Sequence, residues 1–167
     1  VLSRALTPEE KTSWTATGLI LQQVGAFFGM FLFSLLAARY GRRPTFLLVF
    51  ILGWISVVLT FYTFERAEQI YYLWPILGFG TLAPFGGYAL YFPELYPTRL
   101  RTTGTGFCYN VGRYFAVLGP LTLAKVAGWL DGKFETPGFR IAAILVASSY
   151  FVGIIALIWA PETLNKP

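Results

Sequence analysis

Of 167 residues, 56% are hydrophobic, 19% aromatic and 13% charged, with a mean hydropathy of +0.59; a soluble domain carries about 25% charged residues, so these proportions point to an all-α integral membrane protein. The net charge of +5 does not indicate nucleic acid, because the basic residues stand in short loops between apolar spans rather than on one face of a polar domain. A single cysteine, Cys108, excludes an internal disulfide, and without histidine the usual metal clusters cannot be assembled, so neither a metal nor a cofactor is expected.

The pattern predicts five membrane spans, over residues 14–38, 44–64, 70–91, 102–128 and 141–160. The polar opening, VLSRALTPEEK, has neither an apolar signal region nor an initiating Met, and reads as a loop in a piece of a longer protein. Within it Thr7 can cap a short helical turn with Pro8 at the first helical position. The first span is free of charge. Its Gly18, Gln22, Gly25 and Gly29 recur every three to four residues, which puts small residues and an amide on one face for contact with another helix. Gln22 and Gln23 either bond across helices or line a polar cavity.

ARYGRR packs Arg39, Arg42 and Arg43 into a tight turn before the second span, which ends at a short acidic loop, ERAEQ. The third span is interrupted by Pro75, Gly78, Gly80, Pro84, Gly86 and Gly87, so it is expected to be kinked or partly unwound. Tyr88 is a candidate cavity aromatic and Tyr91 an interfacial anchor. In the stretch 92–101, Pro93 and Pro97 bracket Glu94, with Arg99 and Arg101 following; two prolines make a continuous helix there improbable and predict a charged surface loop.

The fourth span carries Arg113 inward. At 1.5 Å per residue it lies roughly 16 to 18 Å along the helix, near the bilayer midplane, where a charged side chain is a functional hypothesis by default. Tyr109 and Asn110 lie one turn away on the same face. A fixed cation with five donors suits bidentate capture of a carboxylate; the alternative is that Arg113 pairs within the bundle and holds helices together. Cys108 reads as a small packing residue. A polar loop, AGWLDGKFETPGFR, precedes the fifth span, and PETLNKP stops that span at Pro161.

The loops at 39–43 and 92–101 carry five arginines against Glu94, whereas segments 1–13, 65–69 and 125–140 balance six basic against six acidic residues. The first set is therefore expected to be cytoplasmic, which places the N terminus outside and the C terminus inside.

Three pieces together resemble the C-terminal half of a major facilitator superfamily transporter. SLLAARYGRR is similar to its repeated loop G-x-x-x-D-R-x-G-R-R/K, PELYPTRLRTTG to the E-x-x-P-T-x-x-R-x-x-G loop of sugar porters and related proton symporters, and PETL to the end of their last helix. The resemblance implies helices eight to twelve of a twelve-helix protein working by alternating access, with the N-terminal half of the same transporter and the lipid bilayer as partners. It also implies residence in a plasma or inner membrane. Arg39, Gly41, Arg42, Arg43, Glu94, Arg101 and Glu162 would form a cytoplasmic gating network, beside Arg99 in the same loop. Ala38 replaces the motif's aspartate and Ser34 its first glycine, so the network would depend more on Glu94 and Glu162.

GFCYNVGR with the following Gly119-Pro120 is most similar to the eleventh helix of sialic acid and aromatic acid proton symporters. This implies a small organic anion as substrate, with Arg113 as counter-charge and Asn110, Tyr109, Gln22, Gln23 and Tyr88 as partners. No Asp, Glu or His lies within the five spans, so any coupled proton would titrate elsewhere. The alternatives are a neutral sugar as substrate, or a non-transporting membrane protein that associates through the Gly18, Gly25 and Gly29 face. No nucleophile with a base and no phosphate loop is present to suggest an enzyme.

Overall fold

The computed structural model describes residues 7–131 and 138–164. They form helices α1 (Pro8–Tyr40), α2 (Arg42–Thr63), α3 (Ile70–Leu95), α4 (Arg101–Ala116), α5 (Leu118–Leu130), α6 (Gly138–Ala147) and α7 (Ser149–Ala156), with a 3-10 turn at Ala67–Gln69 before α3. Among the described residues, Pro8–Tyr40, Arg42–Thr63 and Gly138–Ala156 are long and apolar enough to cross a membrane by length and composition. At 26 residues α3 has the length, but tyrosine, glycine and proline dilute its hydropathy. Helices α4 and α5 follow one another in near-continuous sequence, with Val117 alone between them.

The predicted opening loop is helical from Pro8 onward. Thr7 caps α1 through a reciprocal box with Glu10, which satisfies the free N–H groups of the first turn and lets the helix begin in polar sequence. The rest of the predicted opening loop (residues 1–6), the middle of the polar loop before the fifth span (132–137) and the end of PETLNKP (165–167) lie outside the described residues.

Helix α3 corrects two expectations. It is helical throughout, with Pro75, Pro84 and Pro93 inside it, so the third span is not unwound. It also continues through Pro93 and Glu94 to Leu95, which shortens the predicted charged loop to residues 96–100. A proline deletes one hydrogen bond but leaves the neighbouring turns intact. Here the last turn is held by the partners of Glu94 described below. Between α4 and α5 the chain keeps helical dihedrals at Val117, φ −60° and ψ −29°, and the Val117 N–H donates to the Arg113 carbonyl at 3.2 Å; Pro120 removes a single bond, since it cannot donate to the carbonyl of Ala116.

The glycine face of α1 packs directly on α3. A Cβ at Gly25 would overlap the Pro75 carbonyl, one at Gly29 the Phe79 carbonyl, and one at Gly78 of α3 the Gln22 carbonyl. Backbones approach this closely only where side chains are missing. The face is thus consumed within the chain and is not free for association with a second protein.

Around this contact the core gathers Phe33, Ala37, Phe46, Val49, Phe50, Ala83 and Tyr91, with Tyr88, Phe92 and Tyr150 against it. The Phe46 ring meets Phe33, Tyr88 and Tyr91 at centroid distances of 4.9, 5.6 and 5.5 Å. Tyr91 is therefore a core residue, 7% exposed, rather than an interfacial anchor. At the far end Arg140 of α6 donates to the carbonyl of Phe64 and ties α6 to the end of α2.

Candidate functional site

Gly41 turns the chain between α1 and α2 with φ of 101°, a left-handed value that favours glycine. Arg42 and Arg43 thereby open α2, where backbone N–H groups have no partner within the helix. Glu162 supplies one from the other end of the chain. Its Oε1 accepts the Arg42 N–H at 2.8 Å and its Oε2 the Arg43 N–H at 3.0 Å. Oε1 also accepts the N–H groups of Thr163 and Leu164, each at 3.0 Å. A Cβ on residue 41 would lie 2.8 Å from this carboxylate, so the turn needs glycine for space as well as for φ.

The Arg42 guanidinium spans three elements. Nε and Nη2 donate to Glu94 at 3.1 and 2.7 Å, a bidentate pair with side chains 14% and 31% exposed, while Nη1 donates to the Ala37 carbonyl at 2.7 Å near the end of α1. Thr163 Oγ1 donates to Glu94 at 2.5 Å, and the Tyr91 hydroxyl to the Pro161 carbonyl at 2.7 Å. The start of α2 and the ends of α1 and α3 are thus latched to segment 161–164.

Both carboxylates are tuned to stay ionised. Burial opposes the charge on Glu162, but the four backbone donors outweigh it and hold its pKa below the usual carboxylate range. On Glu94, beyond the apolar part of α3, the hydrogen bonds from Arg42 hold the pKa low against partial burial, with Thr163 assisting.

Of the predicted cytoplasmic set, Gly41, Arg42, Arg43, Glu94 and Glu162 meet here. Arg39, Arg99 and Arg101 do not join them: Arg39 lies over the Tyr40 ring at 5.5 Å, Arg99 is in the loop, and Arg101 opens α4. Among the described residues Arg42–Glu94 is the one ion pair. Thr163 and Tyr91 were not anticipated as members. The first could have been found from its place beside Glu162 in PETL, whereas a tyrosine hydroxyl aimed at a proline carbonyl leaves no sequence signal.

A second group lies along α4. Arg113 is twelve residues into the helix from Arg101, about 18 Å, and its carbonyl accepts the Val117 N–H at 3.2 Å. Its side chain is exposed and has no carboxylate partner among the described residues. Tyr109, one turn back, sits within electrostatic reach of both Arg113 and the Tyr88 hydroxyl. The rings assemble this line: Tyr88 stacks on Phe92 at 5.2 Å, and Phe92 meets Tyr109 edge-on at 5.4 Å. Asn110 donates to the Gly106 carbonyl at 2.8 Å, which leaves its own oxygen to accept. Cys108 packs as expected, 3.2 Å from the Tyr96 hydroxyl.

The glutamines stand apart from this group. Gln22 faces Gly78, ten residues or about 15 Å along α3 from Tyr88. Gln23 is exposed on another face, in an apolar groove with Leu19, Ile20, Val24 and Phe27. Tyr109, Asn110 and Arg113 thus lie within about one turn of each other on α4, and Tyr109 comes within reach of Tyr88, whereas Gln22 packs against Gly78 and Gln23 lies on another face of α1.

Residues 2–164 match the family model of the sugar (and other) transporters. A cis,cis-muconate transport protein of Acinetobacter baylyi is 32% identical over 149 residues, covering 86% of this chain and 34% of the relative. The inner membrane metabolite transport protein YhjE of Escherichia coli is 26% identical over 136 residues, 80% of this chain and 30% of the relative. Solute carrier family 22 member 6 of Mus musculus is 30% identical over 172 residues, 93% of this chain and 30% of the relative. The chain spans about a third of the length of these curated relatives. With a match over nearly its whole length, joined to an all-helical fold with membrane-crossing helices, the chain belongs to the sugar (and other) transporter family of the major facilitator type, a family of integral membrane transporters and not of enzymes.

Proposed function

We propose that the whole protein moves a small organic anion, a carboxylate, across its membrane by alternating access, and that this chain supplies helices eight to twelve of a twelve-helix transporter. The observation that carries the reading is Arg113: a cation about 18 Å into α4, without a carboxylate partner among the described residues, one turn from Tyr109, which itself lies within electrostatic reach of Tyr88. Arg113 is then the counter-charge, with Tyr109, Asn110 and Tyr88 as hydrogen-bonding partners. A relative whose name assigns it cis,cis-muconate, a dicarboxylate, supports the same class of substrate. Gln22, packed against Gly78, and Gln23, exposed on another face of α1, are not assigned to the anion.

The latch of Arg42, Glu94 and Glu162 forms the cytoplasmic end of this half, with the C terminus inside. Its bonds lie within the half, so it braces the half as one body during rocking, while Arg39, Arg43, Arg99 and Arg101 remain available to face the other half or the membrane surface. Protons are the proposed coupling ion, bound by a group outside these spans, since no Asp, Glu or His lies within them.

The test is uptake of labelled carboxylates and neutral sugars by the full-length protein in proteoliposomes, with Arg113→Ala and Arg113→Lys compared. Carboxylate uptake should fall at least about 100-fold in Arg113→Ala, in line with a lost charge-assisted bidentate contact of about 3 kcal/mol, and be partly retained in Arg113→Lys. Uptake of a neutral sugar, unchanged by Arg113→Ala, would overturn the reading.

A further inference from the structure

A groove of about 520 Å³ runs between the first turns of α2 and the end of α7, lined by Arg43, Pro44, Leu47, Ile154, Leu157, Ile158 and Glu162. Apart from its two charged ends it is apolar. Arg43 heads a stripe of residues spaced four apart on α2, Leu47, Ile51, Ile55 and Leu59, each 41 to 46% exposed, so the groove opens onto an apolar helix face of membrane-crossing length. The cation at its head is unspent: Arg43 Nη2 lies 3.5 Å from the Ile158 carbonyl and forms no ion pair among the described residues. Glu162, though ionised, makes no ion pair with it: its two oxygens accept four backbone N–H groups.

We propose that this groove is a site for an anionic phospholipid, with its phosphate on Arg43 and an acyl chain along Leu47 and Ile51, between α2 and the pair Ile154 of α7 and Ile158 just beyond that helix. The occupant follows from the chemistry at the two ends. A guanidinium selects a phosphate in bidentate geometry, and an apolar channel continuous with a lipid-facing stripe admits a hydrocarbon chain and little else. A soluble anion would use only the first of these. The lipid then bears on the same turn that Glu162 caps, so its binding favours the latched arrangement of α2 and segment 161–164.

Lipid titration of the full-length protein in detergent, followed by native mass spectrometry, tests this with palmitoyl-oleoyl phosphatidylglycerol against the phosphatidylcholine of the same chains. The first phosphatidylglycerol should bind about fivefold more tightly than phosphatidylcholine, the equivalent of about 1 kcal/mol for one cation at a membrane surface. Arg43→Gln should abolish that preference, Arg43→Lys should keep most of it, and Arg99→Gln should leave it unchanged. Leu157→Trp, which fills the groove and keeps the cation, should weaken both lipids, and it serves where Arg43→Gln does not fold. A preference that survives Arg43→Gln, an unaltered affinity in Leu157→Trp, or displacement of the lipid by inorganic phosphate would overturn the proposal.

Discussion

Gly25→Leu in the full-length protein should leave no folded transporter to assay. The added side chain would have to enter space already held by the Pro75 carbonyl, and backbone cannot swing aside as a side chain can. Ordinary overpacking of a core costs about 1–3 kcal/mol, and here the α1 to α3 contact would have to part along its length. A graded series separates this cause from a general intolerance of change. Gly18→Ala meets only the indole of Trp74, 2.8 Å away, which can rotate, so that variant should be recovered at near wild-type yield. Gly29→Ala, against the Phe79 carbonyl, should lie between the two. Monodispersity on size-exclusion chromatography and thermal stability in detergent give the readout; equal behaviour of the three variants would contradict the packing account.

Glu162→Ala should unlatch the start of α2 from segment 161–164. Four N–H donors lose their acceptor at once, two of them at the start of α2. The loss of a helix cap costs about 1–2 kcal/mol, enough to raise local opening about tenfold. Hydrogen exchange of residues 42–45 and 161–164 should accelerate to that extent, while exchange in the α1 to α3 contact stays as in the wild type. Glu162→Gln, which keeps one acceptor oxygen, should fall between. Acid should mimic the alanine. Because the folded pKa of Glu162 lies below its ordinary 4.5, its contribution is fully present above that value and is lost as pH falls through the depressed folded pKa. The same sign holds for Glu94, whose pair with Arg42 is lost in the same direction. Protection of 161–164 that is flat from neutral pH down through the carboxylate range would show that the carboxylates do not hold this segment.

Much of the architecture was legible in the chain itself, because a membrane helix has to be apolar and its ends have to be charged. Gly25 and Gly29 announced a close helix contact by spacing alone, and α3 supplies it. Arg42, Glu94 and Glu162 came together as the motif resemblance implied, even though Glu162 works through backbone donors rather than an arginine side chain. What misled was local chemistry read without its tertiary partners. Pro93 looked like a helix end, but the grip of Arg42 and Thr163 on Glu94 carries α3 two residues beyond it, to Leu95. The glycines and prolines of α3 suggested a kinked or partly unwound helix, yet α3 is helical throughout and its glycines serve packing against Gln22, Met30 and Ser56. Gln22 and Arg113 share a polar character but not a level in the bundle, and depth on separate helices cannot be read until their packing is known.

The central claim is that Arg113 meets the charge of a carboxylate. Binding of cis,cis-muconate and of its uncharged diamide to the full-length protein, each measured by calorimetry on wild type and on Arg113→Ala, isolates that charge from shape and size. The account predicts that wild type binds the acid at least about 100-fold more tightly than the amide, and that the preference collapses to within a few-fold in Arg113→Ala. A preference for the acid that persists in Arg113→Ala would place the counter-charge elsewhere and leave Arg113 as a structural cation.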